Sequence, residues 1–531
     1  MSFKTKIICL LLSLMMAASF VAGCSSNTSA GKADGDKEPS GQSDGAENPA
    51  GQPLGAAHES DLLRIAFTSE PPSLGLYDHS SLISVQMNTL TFNGLIRIDN
   101  ETLEPVCDLA EDYSVENDTD WTFNLKKGVK FHNGEEMTAD DVVASIMHAK
   151  SIPAAALYTA SIDTIEAADK YTVNLKTTEP YAGLLYDLAY YYNFIVPKSL
   201  IDADNDFSKN PIGTGPYKLV EWNFGNTISY ERFEDYFDSE HKAKIKNLVF
   251  SIIPEGSSRS IALEAGEIDF VWEVSNADVA NLKTISGIKV QEIDSVDNVI
   301  LFFNNDIEPW NDVNLRNAIA SAINREDIIA AALNGYGKPN YSCIAQGHVG
   351  SSEKDAIVYD MDKAREYLKL WGGDPSKITL SILCSNETRV AIGTVIQSNL
   401  SELGINVDVV SMDTASYMAR WKVGDFDSVF ASWSPSNALS YIQRFHSDRR
   451  STYAGGINDP EIDALVLKAK STLDESQRLE IIEDIISRIN KTSPQVSIYQ
   501  SQWFRAHNAD LEGVICSKTG YASFNDMYWA R

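Results

Sequence analysis

The residue types that most often carry out catalysis or bind metals are scattered through this sequence of 531 residues. Its eight histidines are isolated from one another, and it contains no HExxH pair, no Walker A loop and no GxGxxG loop. Gly213-Thr214-Gly215-Pro216 is rich in glycine, but it lacks a third glycine, and the proline interrupts the helix that a phosphate loop needs. These patterns predict no catalytic residues, no metal site and no cofactor, although triads assembled in space leave no local pattern.

Cys24 has the setting of a lipid-modified cysteine. Lys4 and Lys6 form a short positive region, and residues 7–20 form an apolar run that is too short to span a bilayer. The small residues of Val21-Ala22-Gly23 then precede Cys24, which resembles the lipobox of bacterial lipoproteins, in which the cysteine is acylated. We therefore expect residues 1–23 to be a signal peptide and Cys24 to carry the anchor.

A polar segment follows the cysteine. Residues 24–60 consist almost entirely of Gly, Ser, Ala, Asp, Glu, Pro and Gln. Such a composition buries too little apolar surface to offset the entropy of ordering, so we predict a flexible linker. No later segment is apolar for long enough to cross a bilayer, and the anchor is the only membrane contact that we expect.

The remaining composition is that of a large, acidic globular protein. The formal net charge of −30 argues against binding to nucleic acid or to anionic lipid. A charge of this sign suits a cationic ligand, but solubility outside the cell is the explanation that we favour. Four further cysteines show no CxxC spacing, and their pairing stays open, with free thiols as an alternative to bridges: Cys107, Cys343, Cys384 and Cys516.

Helical and extended patterns alternate along the body of the chain, which predicts α/β lobes with mixed sheets. Extended structure is predicted at residues 62–67, 121–125 and 129–131 from apolar alternation and turn residues. Helix starts and stops are marked by capping residues and by glycine or proline. These signals predict helices after Thr138, Asp312 and Asp459, a helix at 390–403 followed by a strand at 405–409, and a helix at 479–489.

Six sequence blocks, taken in order, resemble the peptide/nickel-type extracellular solute-binding proteins of bacteria, known as family 5. Each block is modest by itself, and their shared order over residues 61–515 makes the resemblance specific. The blocks are 121–134 with 138–143, 211–217, 262–269, 302–305 with 311–319, 424–433, and 459–463 with Arg478.

The resemblance implies an α/β fold with two lobes that close like a clamshell, as in periplasmic binding proteins, and an extra smaller subdomain. We expect the chain to cross between the lobes near residues 290–300 and 495–505. The expected boundaries are residues 61–92, 207–295 and 503–531 for the first lobe, 93–206 for the subdomain and 296–502 for the second lobe.

The resemblance also places candidate ligand contacts beside Trp433, at the end of the strand 429–431. Ser434, Ser436 and Asn437 follow it directly, and Tyr77 and Tyr417 are weaker aromatic candidates. In oligopeptide-binding members an aspartate after this tryptophan captures the α-ammonium of the peptide. Here the segment 433–438 reads Trp-Ser-Pro-Ser-Asn-Ala, without an acid.

This departure leaves two possibilities for the ligand. Another carboxylate, such as Asp78 or Glu70, takes the place of the missing aspartate, or the ligand has no free N-terminus at this point. Burying an unpaired ammonium group in a closed site costs several kcal/mol, on the order of the penalty for any buried charge. We favour a peptide ligand whose ends are recognised differently from those of the peptides in oligopeptide-binding members.

The function implied by the resemblance is capture of a solute, most simply a peptide, and its delivery to the permease subunits of an ABC importer. We expect a monomer, held by its lipid anchor on the extracytoplasmic face of the cell membrane. The alternatives are a binder of a sugar, an opine or a metal chelate, and a sensory binder on the same fold. A surface-anchored hydrolase is the rival from another class, and the order of the blocks argues against it.

Overall fold

The computed structural model describes residues 61–79, 81–435, 437–451 and 454–530, and the signal peptide, Cys24 and the linker predicted above lie outside these ranges. Strands and helices are labelled in chain order. The strands are β1 Leu62–Phe67, β2 Ile96–Ile98, β3 Pro105–Cys107, β4 Ala110–Glu116, β5 Asp120–Leu125, β6 Ile162–Asp169, β7 Thr172–Thr177, β8 Tyr217–Asn223, β9 Thr227–Arg232, β10 Asn247–Ile252, β11 Phe270–Val271, β12 Ile288–Phe303, β13 Lys338–Pro339, β14 Thr379–Cys384, β15 Asn406–Ser411, β16 Ser428–Trp433, β17 Gln495–Asn508, β18 Leu511–Glu512, β19 Ile515–Cys516, β20 Ala522–Ser523 and β21 Tyr528–Trp529.

Helices separate most of these strands. They are α1 Leu82–Thr91, α2 Ala139–Ser151, α3 Ala156–Thr159, α4 Leu184–Leu188, α5 Lys198–Asp202, α6 Gly256–Glu264, α7 Asn276–Leu282, α8 Val313–Ala322, α9 Arg325–Ala332, α10 Met361–Trp371, α11 Glu387–Ser401, α12 Thr414–Val423, α13 Ala438–Ile442, α14 Pro460–Ser471 and α15 Glu475–Thr492. Across the described ranges, no helix combines the length and the apolar character that a membrane span requires.

One large mixed sheet runs through the molecule. Within the described residues it has 11 strands in the order β15-β14-β16-β12-β17-β11-β1-β10-β9-β8, with β13 beside β17. The outer strands β14 and β15 are parallel, as are β1 and β10, whereas the two long central strands β12 and β17 are antiparallel. β12 and β17 therefore connect the two halves of the sheet.

Among the hydrophobic cores of the described residues, three show how the fold is divided. The core of the first lobe includes Leu63, Phe250 and Phe524, so it takes residues from both ends of the described chain. The core of the second lobe is built between β12, β14 and the helices α8, α9 and α11. A third core lies under the four-stranded antiparallel sheet β4-β5-β7-β6 and forms the smaller subdomain. The lobe boundaries assigned from the sequence stay a prediction.

Most locally coded elements agree with the sequence patterns. The strand predicted at 62–67 is β1, and the helices predicted after Thr138, Asp312 and Asp459 begin where the capping residues stand. Gly404, which was predicted to end a helix, has a φ of 75°. The extended structure predicted at 129–131 forms an isolated antiparallel bridge from Lys130 to Glu136. The chain reverses at the Asn-Gly turn 133–134, where the N–H of Gly134 donates to the carbonyl oxygen of Phe131 at 2.8 Å.

The four cysteines of the body are free thiols. Cys343 and Cys384 are buried, and Cys107 and Cys516 are partly buried. Burial raises the pKa of Cys343 and Cys384 to about 12 and that of Cys516 to about 11. Since the thiolate is the reactive form, these side chains act as small apolar residues in their cores.

Candidate functional site

A deep cleft lies between the lobes and has a volume of about 1080 Å³. One wall comes from α1, the chain before β3, and the segment around α3 and α4; the other comes from the end of β16 and from α13. The C-terminal segment 515–526 lines a further part of the wall. The size is at the upper end of the range of about 300–1,000 Å³ that is typical of pockets for small ligands.

Trp433 and Ser434 are the sequence-predicted contacts that line this cleft. Trp433 is the last residue of β16 and pairs with Asn298 of β12, which fixes its position at the cleft wall. The guanidinium carbon of Arg444 lies 3.5 Å from the centroid of the Trp433 ring. This is a cation–π contact at close range, and it holds the indole and the guanidinium group together as one surface.

The other predicted contacts lie elsewhere. Tyr417 is buried, and its hydroxyl donates to the carbonyl oxygen of Phe430 behind β16. Tyr77 packs on Tyr192, with ring centroids 6.2 Å apart. Asn437 caps α13, because its Oδ1 accepts a hydrogen bond of 2.8 Å from the backbone N–H of residue 440. None of these three side chains is in the cleft wall, and Ser436 lies outside the described residues.

The two carboxylates considered as replacements for the missing aspartate are both used within the first lobe. Glu70 accepts from Trp222 Nε1 at 2.5 Å and from the backbone N–H of Gly225 at 2.9 Å. Asp78 accepts from Ser73 Oγ at 2.7 Å. Neither residue lines the cleft, so these carboxylates stabilise loops.

An aromatic surface that single-residue patterns did not reveal lines the same cleft as Trp433. It includes Tyr158 and Tyr190, whose rings stack with centroids 3.7 Å apart, and Tyr191, whose centroid is 4.6 Å from that of Tyr190. The local signal was available in the sequence as the tyrosine-rich stretch 181–192. Stacked rings of this kind offer a large apolar contact area with hydroxyl groups at its edge.

Asp187 is buried in the same surface. Its Oδ2 accepts a hydrogen bond of 2.9 Å from the hydroxyl of Tyr181. Burial raises the pKa of this carboxyl to about 7, against the opposing effects of the Tyr181 hydrogen bond and the charge of Lys470. The group therefore changes charge near neutral pH, within the cleft wall.

The two sides of the cleft touch beside this carboxyl. The backbone N–H of Ala182 donates to the carbonyl oxygen of Lys470 at 2.7 Å. The Lys470 ammonium lies 5.5 Å from the centroid of the Tyr181 ring. Ala182 also packs against the core around α13, α14 and α15. This contact joins the subdomain to the second lobe at the edge of the cleft.

A cleft between two lobes that share a sheet, lined by aromatic rings, hydroxyls and carboxylates, defines a ligand-binding protein of the clamshell type. The comparisons with known proteins extend this result. Residues 104–452 match the family model described as bacterial extracellular solute-binding proteins, family 5. The chain belongs to this family, and it is a solute-binding protein and not an enzyme.

Relatives with known names cover most of the chain. The dipeptide-binding protein of Escherichia coli is 27% identical over 475 residues, which cover 82% of this chain and 88% of that protein. The oligopeptide-binding protein AppA of Bacillus subtilis is 26% identical over 543 residues, covering 94% of both chains. The solved structure of B. subtilis AppA in complex with a nonapeptide superposes with a TM-score of 0.72 at 25% identity, over 88% of this chain and 99% of that chain.

Proposed function

We propose that this protein is a lipid-anchored, extracytoplasmic binding protein that captures peptides and delivers them to an ABC importer. The observation that carries the proposal is the cleft, whose volume of about 1080 Å³ and mixed aromatic and polar wall suit a short peptide. Peptides offer backbone N–H and C=O groups to the polar positions and side chains to the aromatic surfaces. The names of the two relatives described above support the same class of ligand.

The polar part of the wall is able to bind a peptide main chain. Ser432, Ser434 and Ser440 lie around Trp433, and Gln443 and Arg449 follow on the next turns. Hydroxyl and amide groups both donate and accept hydrogen bonds, so they recognise a peptide backbone whatever its sequence. Capture then depends on closure of the lobes, which requires that the peptide bind the closed state better than the open one.

The test is calorimetry of the purified protein with a library of peptides of two to five residues. We expect some of these peptides to bind, and we expect Trp433→Ala to weaken their affinity by about 10- to 100-fold, because a large aromatic contact is lost from the centre of the site. Binding of sugars with no binding of any peptide would overturn the proposal.

Tyr417→Phe is the matched control for this experiment. It alters an aromatic residue of the same lobe that lies behind β16, where its hydroxyl contacts the Phe430 carbonyl and no part of the cleft. We expect its peptide affinity to stay within about threefold of the wild type, while its free energy of unfolding falls by about 1–2 kcal/mol for the carbonyl left without its donor.

A further inference from the structure

Asp297 lies in the cleft wall at the point where β12 departs from regular pairing. The register between β12 and β17 is regular up to Asp294 and shifts before Asn298, so that residues 295–297 together face the single residue Ser501, and it shifts once more between Val299 and Ile300. A bulge of this kind bends a strand and re-aims the side chains that it carries. Here it presents the Asp297 carboxylate to the cleft.

The bulge is held in place by a closed set of hydrogen bonds. Ser295 Oγ donates to the carbonyl oxygen of Ser501 at 2.7 Å and accepts from the backbone N–H of Asp297 at 3.1 Å. Ser501 Oγ in turn donates to Asp297 Oδ2 at 2.7 Å. From the C-terminal segment, the carbonyl oxygen of Lys518 accepts from the N–H of Val296 at 3.0 Å. The carboxylate is therefore fixed in position before any ligand arrives.

The position is next to the strongest candidate contact. Asn298 pairs with Trp433, and Val299 pairs with Ser432, so the neighbouring Asp297 lies beside the end of β16. The sequence after Trp433 has no acid before Asp448, whereas the adjacent strand β12 brings the Asp297 carboxylate to the same part of the cleft wall. The sequence around Trp433 indicates neither the bulge in β12 nor the pairing of β12 with β16.

The carboxylate has no counter-charge in direct contact. Ser501 is an uncharged donor, and among the ion pairs of the described residues none includes Asp297. Burial raises the pKa of Asp297, while the hydroxyls of Ser501 and Ser432 and the more distant charge of Arg389 oppose that effect. The Arg389 guanidinium donates instead to Ser385 Oγ at 2.7 Å.

The charge of the whole wall has the same sign. Seven carboxyl groups and three guanidinium groups of the described residues line the cleft, so a cation is favoured over an anion. The carboxyl groups are those of Asp99, Glu101, Asp108, Asp187, Asp238, Asp297 and Asp526, and the guanidinium groups are those of Arg97, Arg444 and Arg449.

We propose that Asp297 binds the cationic group of the ligand, and that this group is the free N-terminal ammonium of a peptide. The inference rests on the proposed function, in which the ligand is a peptide. An ammonium placed against Asp297 meets a half-buried carboxylate that is already held in position, and the attraction between the two charges is stronger there than between fully exposed groups. The protein then recognises a free N-terminus without an acid after Trp433.

The test compares each peptide of the library in two forms, with a free amine and N-acetylated. Asp297→Asn removes the charge but keeps an oxygen that accepts from Ser501, so the bulge is retained. We expect Asp297→Asn to weaken binding of the free peptides by about 30-fold or more, and of their acetylated forms by less than about threefold. The wild type should itself prefer the free form by about 30-fold, which tests the proposal even if the variant does not fold.

Glu292→Gln is the matched control, since it removes one negative charge from an exposed position of the same strand, β12, outside the cleft wall. We expect it to change both affinities by less than about threefold, because exposed charges are screened by solvent. Equal weakening of free and acetylated peptides by Asp297→Asn, or no weakening, would overturn the role of Asp297 and leave the proposed function intact. If the wild type binds no peptide in either form, the proposed function and this inference both fail.

Discussion

Asp187 combines two properties that rarely occur together in one carboxyl group. It is buried against Tyr181, with 8% of its surface exposed, and it lines the cleft. A buried carboxyl favours its protonated form because the charged form loses its hydration. The residue is therefore neutral in mildly acid conditions and becomes charged as the pH rises past about 7.

The consequence for stability has a definite sign. Between the ordinary pKa of 3.8 and about 7, the folded protein holds a proton at Asp187 that the unfolded chain has released. The contribution of this residue to the free energy of unfolding therefore falls as the pH rises through that window and is constant above it. We expect Asp187→Asn, which is never charged, to become more stable than the wild type by about 2–4 kcal/mol at pH 8 and to show no such gain at pH 3.5.

Urea unfolding of both proteins across this pH range measures the effect, since the contributions of all other groups cancel in the difference. Asn keeps an oxygen for the Tyr181 hydroxyl, so packing is retained. A difference between the two proteins that does not change with pH would contradict the raised pKa.

Single residues also show where the sequence was informative. Trp433 was proposed from the family resemblance, and the structure places it at the end of β16 in the cleft wall. Asp297 was not found, because its direction depends on a register shift against Ser501, a residue 204 positions away. The mostly polar stretch 294–298, directly before the apolar run 299–303, was the available signal. It marked an irregularity but not the side on which the carboxylate would lie.

At the scale of elements, α8 shows how a family motif residue can be wholly structural. Arg316 is buried on α8, and its guanidinium group donates to the carbonyl oxygens of Trp310 at 2.8 Å, Thr492 at 2.9 Å and Ser493 at 3.0 Å. Two of these carbonyls end α15, where four backbone acceptors have no partner within the helix. One side chain thus joins α8 to the end of α15.

We expect Arg316→Ala to lower the free energy of unfolding by about 3–5 kcal/mol, because it leaves several buried carbonyl groups without donors. Denaturant unfolding measures this loss. Arg365→Ala on α10 is the control, since Arg365 is half exposed and pairs only with the exposed Asp362, and its effect should be within about 0.5 kcal/mol. If both variants lower the free energy of unfolding equally, the hydrogen bonds of Arg316 are not what stabilises this part of the lobe.

Individual helices and strands were more predictable from the sequence than the way in which they pack together. Asp312 and Asp459 each accept two backbone N–H groups at the start of the helix that follows them, and that capping geometry involves three or four adjacent residues. The order of strands in the large sheet has no such local code. β17 lies beside β12 although about 190 residues separate them, and only the family resemblance indicated that the chain returns.

At the scale of the whole molecule, the proposed attachment to the membrane rests on residues before the folded body. We expect Cys24→Ala to abolish acylation, because the thiol that carries the lipid is lost, and to release the protein or leave its precursor unprocessed. Fractionation of cells followed by a salt wash measures this. Equal retention of the variant on the membrane would overturn the proposed anchor.

Cys107→Ala is the matched control for that experiment. It removes a free thiol from the folded body rather than from the candidate lipid site, and the thiol there is partly buried in the subdomain. We expect this variant to stay on the membrane like the wild type. Release of both variants would indicate that loss of a cysteine affects attachment through the fold.

The bulge at residues 295–297 interrupts the pairing of β12 and β17, the two strands that the lobes share. It therefore lies where a rotation of one lobe against the other would have its axis. Groups near such an axis move least when lobes rotate, whereas the distant contact of Ala182 with Lys470 joins parts that a rotation would separate. A ligand group held at Asp297 would therefore keep its contact in both the open and the closed state of the lobes. Such a contact adds affinity equally to both states and does not itself drive closure. The free energy that drives closure must come from groups far from this axis, which are the tyrosines and the edge around Ala182. The ligand therefore binds first, and the lobes close afterwards.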